Sequence, residues 1–133
     1  MEKEGVLYSM VDIEVIDTGA PKAGPYNLGI KAGNLIFISG QVMDPEAEGV
    51  KEQTLTALGK IKNILEVAGA RVSDIVKTTI YLKNMSDFKE VNIIYKEFFI
   101  QNGVQEKFPA RTTVEAACPL PGGLIEIDAI AAL

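Results

Sequence analysis

The clearest structural signal in this chain lies in residues 50–83, which have the sequence VKEQTLTALGKIKNILEVAGARVSDIVKTTIYLK. In the first half, positions that can face a core recur at alternating intervals of four and three residues: Thr54, Leu58, Ile61, Leu65 and Ala68. This period predicts an amphipathic helix from Val50 to Ala68, and Gly69 is a typical stop. Ser73–Lys83 follows and is rich in β-branched residues, which predicts a central strand.

A second helix and four further strands are expected around this unit. The helix is predicted to run from about Ser86, as its N-cap, to Asn102-Gly103. Its apolar stripe is formed by Phe88, Val91, Tyr95 and Phe98. Strands are predicted at 27–31, 35–39, 111–117 and 124–131, with hairpins at both ends of the chain. The predicted fold class is α+β: a single mixed β-sheet with two helices packed on one face.

The last predicted strand indicates that the second face of this sheet is also covered. Alternation places four apolar residues under the helices: Ile125, Ile127, Ala129 and Ala131. The opposite face then carries Leu124, Glu126, Asp128 and Ile130. Such a mixture suits neither open solvent nor a dry core. We therefore expect a face that is shared with other subunits and encloses some water.

Composition limits the class of protein. A chain of 133 residues is expected to form one domain over residues 1–133, and 47% hydrophobic with 23% charged residues is typical of a globular protein. The net charge of -5 argues against nucleic acid as a partner. No apolar run reaches the ~18 residues that a membrane span needs. The N-terminus does not resemble a signal peptide, so a cytoplasmic location is expected.

The chain contains no histidine, which removes several kinds of site at once. Ser-His-Asp and Cys-His nucleophiles, His-ligated zinc and an imidazole base are all excluded. The single Cys118 cannot form an internal disulfide or a Cys-only metal site, and we expect it to be a small buried hydrophobe rather than a reactive thiol. Catalysis would have to use carboxylates, Arg, Lys, Tyr, hydroxyls and backbone groups, and no metal site is expected.

Two segments near the end of the chain carry groups suited to chemistry. They are Pro109-Ala110-Arg111-Thr112-Thr113-Val114 and Ile125-Glu126-Ile127-Asp128, and we expect them to be neighbouring strands. A guanidinium can bind a carboxylate through two parallel hydrogen bonds, and a glutamate beside it can hold a water and exchange protons with it. The alternatives are that Arg111 lies on the surface or pairs internally with Glu115 or Asp128, and that Glu126 and Asp128 are a solvated pair.

Three further positions are candidates for lining a site. Gly24-Pro25-Tyr26 places an aromatic ring in a loop restricted by proline, where it could also be a plug at the edge of the core. Ser39-Gly40 ends a buried strand, and a glycine there lets a ligand approach the backbone N–H. Asn92 lies one helical turn from Phe88. Its alternative role is a buried side chain bonded to a strand backbone.

In order and spacing, Gly24-Pro25-Tyr26, Ser39-Gly40-Gln41 and the two C-terminal segments resemble the reactive-intermediate deaminase family, also called the RidA or YjgF family. Its members have also been labelled endoribonuclease L-PSP and translation initiation inhibitor. The resemblance runs from about Ile16 to Ala131. It implies a chorismate-mutase-like fold and homotrimers whose sheets form a central β-barrel, with sites in the clefts between subunits.

The resemblance also implies a reaction: hydrolytic deamination of small enamine and imine acids, such as 2-aminoacrylate and 2-iminobutanoate, to 2-keto acids and ammonia without a cofactor. Arg111 would bind the substrate carboxylate, and Glu126 would position the water. Tyr26 would reach across a subunit boundary, so that one chain contributes Tyr26 and its neighbour contributes Arg111 and Glu126. The remaining substrate-binding positions are Ser39, Gly40, Asn92 and Thr113.

Four positions depart from the family pattern. Asn27-Leu28 replaces a usual Ser-Gln after the tyrosine and could reshape the rim of the pocket. Thr112 stands where Ser or Ala is usual, and Thr113 where Cys is frequent; at the latter position the backbone is expected to contribute more than the side chain. Two other functions stay open: a non-catalytic module that binds small metabolites in the same cleft, and ribonuclease or translation inhibition. The acidic charge and the lack of histidine weigh against the latter.

Overall fold

The structure, a computed structural model, describes the backbone of residues 2–3 and 6–7 and every residue from 11 to 133. Two short strands, β1 (Glu2–Lys3) and β2 (Val6–Leu7), pair with each other. The main sheet contains β3 (Ile13–Ile16), β4 (Gly29–Ala32), β5 (Leu35–Gln41), β6 (Ile75–Leu82), β7 (Ala110–Glu115) and β8 (Ile125–Ala132). Two helices, α1 (Gly49–Val67) and α2 (Phe88–Gln101), complete the fold.

The six strands lie in the order β3-β4-β5-β8-β6-β7. Strands β6 and β7 pair in parallel, and every other pair in this sheet is antiparallel. Gly33, at φ 61°, forms the tight turn between β4 and β5 that the sequence predicted. The mixed sheet with two helices confirms the predicted α+β class.

The predicted C-terminal hairpin was wrong, because β7 and β8 are not neighbours. Helix α2 carries the chain from β6 back to the start of β7, and a crossover of this kind makes the two strands parallel. Strand β8 then enters the middle of the sheet, between β5 and β6. The segments that carry Arg111 and Glu126 are therefore separated by a whole strand. Strand β3, at the sheet edge, was not predicted.

The helices pack on one face of the sheet and form the core with it. Thr54, Leu58, Ile61 and Leu65 are buried as predicted, whereas the stripe of α2 is buried at Val91, Ile94, Tyr95 and Phe99. The predicted Phe98 is partly buried and packs against the core beside fully buried Phe99, and Phe88 lies at the margin. A 3₁₀ turn at Met85–Asp87 precedes α2, so the N-cap is Asp87 and not Ser86.

In the residues that the structure describes, no helix covers the other face of the main sheet, which is called the open face below. Its β3–β5 half is apolar, with Ile13, Val15, Leu35 and Phe37 exposed. Its β8–β6 half is polar and carries Glu126, Asp128, Lys77 and Tyr81. Leu124, predicted to lie here, instead packs against the core. In the part of the chain that the structure describes, no helix is long and apolar enough to cross a membrane.

Candidate active site

A cavity of about 740 Å³ contains four of the predicted site residues: Tyr26, Ser39, Gly40 and Glu126. Its walls are mainly apolar and come from three segments of the chain, residues 21–23, 42–45 and 119–120. Concave, largely apolar sites with a few convergent polar groups are typical of small-molecule pockets. The carboxylate of Glu126 is the acidic group that the sequence singled out, and Asp44 and Lys60 also line the cavity.

Gly40 lies directly against Glu126. The register of β5 and β8 shifts between Ile38 and Gln41, so the backbone at Gly40 bulges towards the glutamate. A Cβ atom built at Gly40 would overlap the Glu126 carboxyl group. Glycine is thus required here for space and not for an unusual φ.

Ser39 and Tyr26 have different roles around this cavity. The Ser39 hydroxyl donates to the carbonyl oxygen of Asn27 at 2.6 Å, and its backbone N–H donates to that of Leu28 at 2.9 Å. Ser39 therefore fixes the loop that carries Tyr26. The Tyr26 side chain is 44% exposed, and its hydroxyl accepts a hydrogen bond from the Ala23 N–H at 3.2 Å. Tyr26 is consequently a rim residue and not a plug in the core.

Glu126 has an environment that favours its neutral form. Partial burial, followed by the negative charge of Asp128, raises the pKa of the Glu126 carboxyl group above its ordinary value. Asp128 accepts a hydrogen bond from the Tyr81 hydroxyl at 3.0 Å. A raised pKa makes the ionised carboxylate a stronger base than an ordinary glutamate, which suits it to exchanging protons with a bound water.

Arg111 lies on the helix-covered face of the sheet. It pairs in register with buried Thr78, and its Nη2 donates to the Asn92 side-chain oxygen at 2.6 Å. The guanidinium carbon lies 5.5 Å from the ring centre of Phe88 and 5.0 Å from that of Tyr95. Both distances are typical of cation–π contacts, so the guanidinium is held in a fixed orientation. Asn92 therefore binds this side chain and not a strand backbone.

The proposed internal partners of Arg111 are engaged elsewhere. Glu115 accepts from the Met85 N–H at 3.0 Å, and Asp128 is bonded to Tyr81. Among the residues that the structure describes, the ion pair present is Lys60–Asp44, at 3.0 Å. In that part of the chain the Arg111 charge faces no carboxylate, which leaves it able to bind an anion. Thr113, on the same face, has a buried hydroxyl that forms no hydrogen bond within the described part of the chain.

The predicted site residues thus form two groups that do not meet within one chain. Tyr26, Ser39, Gly40 and Glu126 line the cavity, whereas Arg111, Asn92 and Thr113 lie beside α2. From the register, Arg111 and Glu126 are two strands apart and three residues offset along them, about 14 Å between Cα atoms. Their side chains also leave opposite faces of the sheet. The expectation that they come from neighbouring strands was wrong.

Sequence reasoning missed several contributors to these groups. Lys60 donates to the Val42 carbonyl oxygen at 2.8 Å and pairs with Asp44, which fixes the 42–45 wall of the cavity. The only signal was a lysine on α1 at the edge of its apolar stripe. Phe88 and Tyr95 were assigned to the core, although both contact the Arg111 guanidinium.

Within the described residues, no three His, Cys, Asp or Glu side chains are grouped as metal ligands would be. Cys118 is partly exposed and not fully buried as predicted, and its sulfur packs close to Gly123.

Comparisons with known proteins agree with this architecture. The family model described as Endoribonuclease L-PSP matches residues 18–133. A RutC family protein of Pyrococcus horikoshii is 46% identical over 126 residues, covering 89% of this chain and 96% of its own. The 2-iminobutanoate/2-iminopropanoate deaminase of Salmonella typhimurium is 43% identical over 118 residues, covering 84% and 91%. The crystal structure of the YjgF gene product from E. coli has a TM-score of 0.81 at 40% identity, covering 90% and 98%.

Proposed function

The chain belongs to the endoribonuclease L-PSP family, that of YjgF and RidA, and from this membership and the two groups of site residues we propose that it deaminates small imine acids. The substrates would be 2-aminoacrylate, 2-iminobutanoate and similar species, and the products 2-keto acids and ammonia. The proposal depends on two side chains, Arg111 and Glu126, that are chemically complementary to such a substrate. Arg111 offers a cation without a carboxylate partner in the described structure, and Glu126 offers a carboxyl group with a raised pKa beside a cavity.

We infer that each site combines two chains, because the two groups lie on opposite faces of one sheet. One chain would supply Arg111, Asn92 and Thr113, and its neighbour would supply the cavity with Tyr26, Ser39, Gly40 and Glu126. This division differs from the one implied by the resemblance, since Glu126 now accompanies Tyr26.

A homotrimer with a chorismate-mutase-like arrangement, in which three open faces enclose a central β-barrel, would bring the groups together. The apolar half of the open face supports such an assembly. Ile13 and Val15 are 67% and 60% exposed, and Leu35 and Phe37 lie beside them on the same face. Contiguous exposed apolar surface of this kind is unusual on a soluble monomer. Closed cyclic symmetry would bury it and leave no surface for open-ended growth.

The proposed reaction needs only binding and proton transfer. Arg111 binds the substrate carboxylate and presents the imine carbon to a water that Glu126 holds. Ionised Glu126 takes a proton from this water as its oxygen bonds to the imine carbon, which gives a carbinolamine. Glu126 then gives this proton to nitrogen and takes the hydroxyl proton as the C=O bond forms and the C–N bond breaks, so that ammonia leaves with the 2-keto acid. Passing that proton on to ammonia or solvent returns Glu126 to its ionised form. Because an iminium carbon is already electrophilic, positioning and ~10²–10⁴-fold from proton transfer can supply the rate.

The alternatives to deamination are a regulatory module and an endoribonuclease. A regulatory module would bind keto acids in the same cleft without turnover. Endoribonuclease activity is suggested by the family's name, but a net charge of -5 and the absence of histidine oppose general RNA cleavage.

The decisive experiment measures ammonia release from freshly generated 2-aminoacrylate and 2-iminobutanoate. Arg111→Ala should lower the catalytic efficiency roughly 30- to 4,000-fold, because losing one side of a desolvated charge pair costs ~2–5 kcal/mol. Arg71→Ala is the matched control, since Arg71 is the chain's other arginine and is exposed. Saturable binding of 2-oxobutanoate without imine turnover would select the regulatory module instead.

A further inference from the structure

Two more titratable side chains share the open face with Glu126. Asp128 follows it by two residues on β8, so both carboxyl groups leave the same face, roughly 7 Å apart along the strand. Tyr81, on β6, stands directly opposite Glu126 in the antiparallel register, and Thr79 stands opposite Asp128. These groups form a cluster whose function the proposed reaction does not yet explain.

The Tyr81 hydroxyl is committed to one of the two carboxyl groups. Although Tyr81 faces Glu126 in register, it reaches diagonally and donates to Asp128 Oδ2 at 3.0 Å. A hydrogen bond donated to a carboxylate stabilises its charged form. The contact with Asp128 correspondingly favours the neutral phenol, and burial, this hydrogen bond and the nearby carboxylates raise the pKa of Tyr81.

Glu126 experiences the opposite influences. Its carboxyl group packs against the backbone at Gly40, and both burial and the Asp128 charge favour its neutral form. Of the two carboxyl groups, Glu126 is therefore the one whose charged form is disfavoured.

The other charged groups near Glu126 are hydrogen-bonded elsewhere or lie in the wall of the cavity. On the open face, Lys77 of β6 donates to the Thr112 hydroxyl and to the Thr78 carbonyl oxygen, at 2.9 and 3.1 Å. In the cavity, Lys60 is paired with Asp44, and Lys22 and Tyr26 lie in the wall. Strand β5 contributes uncharged Gly40 at the point of contact.

We propose that Tyr81 and Asp128 are positioning residues for Glu126: the Tyr81 hydroxyl fixes the Asp128 side chain, and Asp128 holds its negative charge beside Glu126. Glu126 is then the carboxyl group that alternates between its two forms. The benefit to turnover rests on the proposed deamination, in which Glu126 takes a proton from water and returns it to nitrogen. The location of the proton does not depend on that function and can be measured without substrate.

The test is a pH titration of the full-length protein followed by carboxyl ¹³C NMR, with Glu126→Gln used to assign the Glu126 resonance. We expect the Glu126 midpoint to fall in Asp128→Asn, because the neighbouring negative charge is removed. In Tyr81→Phe, Asp128 loses the hydrogen bond that fixes it beside Glu126, so the Glu126 midpoint should fall there too. Glu66→Gln, which removes an exposed carboxyl group on α1, should leave it unchanged.

Both test variants nearly preserve side-chain shape, and circular dichroism will verify that they are folded. A Glu126 midpoint that is unchanged in both folded variants would overturn the proposal, as would a wild-type protein in which Asp128 is protonated first. If the wild type deaminates imines, the acid limb of its kcat/KM profile should move to lower pH in both variants, while 2-oxobutanoate affinity stays the same. A wild type without deaminase activity would overturn the proposed function, and the NMR titration would still decide where the proton lies.

Discussion

The side chains of Arg111 and Glu126 leave opposite faces of one sheet, with strand β6 between the strands that carry them. Arg111 is held by Asn92, Phe88 and Tyr95 on the helix-covered face, whereas Glu126 lies beside Gly40 at the cavity. No small 2-imino acid can touch both side chains of one chain across about 14 Å and through the sheet. If both groups act on one substrate, they must come from different chains.

This division gives a sharp prediction for mixed oligomers. Arg111→Ala and Glu126→Gln should each retain at most about a tenth of wild-type activity alone, but mixing them after dissociation and reassembly should restore about a quarter of it. In a cyclic assembly, each interface joins the Arg111 of one chain to the Glu126 of the next chain. After equal mixing, both residues are intact at one interface in four. The measurement is imine deamination by the remixed sample.

The matched control for remixing uses two residues from the same group. Tyr26→Ala mixed with Glu126→Gln should restore nothing, because both changes fall in the cavity of one chain. If one chain instead supplied both Arg111 and Glu126 to a site, the mixture of Arg111→Ala and Glu126→Gln would gain no activity. The mixture of Tyr26→Ala and Glu126→Gln would then recover activity. A monomer by light scattering at micromolar concentration would contradict the shared site altogether.

Glu126→Gln should separate binding from turnover. The amide keeps the shape of the side chain but cannot exchange protons, so we expect 2-oxobutanoate to bind while kcat falls at least about tenfold. In the wild type, the water is activated by ionised Glu126, and its raised pKa means that activity is lost as pH falls through a value above the ordinary 4.5. Equal turnover by the Gln variant would make Glu126 a structural carboxylate.

Gly40→Ala should damage the site without damaging the fold. The new Cβ would overlap the Glu126 carboxyl group, which must then move out of position. We expect at least about a tenfold loss of kcat/KM, by analogy with other losses of catalytic geometry, with oligomeric state retained. Gly59→Ala is the control, because no atom lies within 4 Å of a Cβ there and the residue is inside α1. It should retain full activity and raise stability by about 0.5–1 kcal/mol.

Local patterns predicted the helices well and the strand order poorly. The four-and-three spacing from Thr54 to Leu65 identifies the buried side of α1, since neighbouring turns of a helix are close in sequence. The insertion of β8 between β5 and β6 depends on pairing between distant segments, which no local pattern contains. The short loop between β7 and β8 therefore suggested a hairpin that does not exist.

For the candidate site too, the sequence predicted what depends on local motifs and not what depends on pairing between distant segments. The motifs identified Arg111, Glu126 and Gly40, because each stands in a short recognisable segment. They did not indicate which residues share a face of the sheet, since that depends on the β6–α2–β7 crossover. Phe88, an aromatic residue on an apolar stripe, gave no sequence signal that it contacts a guanidinium.

Lys60→Met should loosen the cavity wall while leaving the chemistry intact. The Lys60–Asp44 pair is partly solvated, with side chains 31% and 50% exposed, so its own contribution to stability is about 1 kcal/mol or less. Its larger effect is to hold the Val42 carbonyl oxygen and Asp44, and with them the 42–45 wall. We expect KM for imine substrates to rise severalfold while kcat changes little, because the wall contacts ground state and transition state alike.

Lys62→Met, two positions along α1, is the matched control and should leave both constants unchanged. A fall in kcat without a change in KM would contradict this role and place Lys60 in the proton-transfer step.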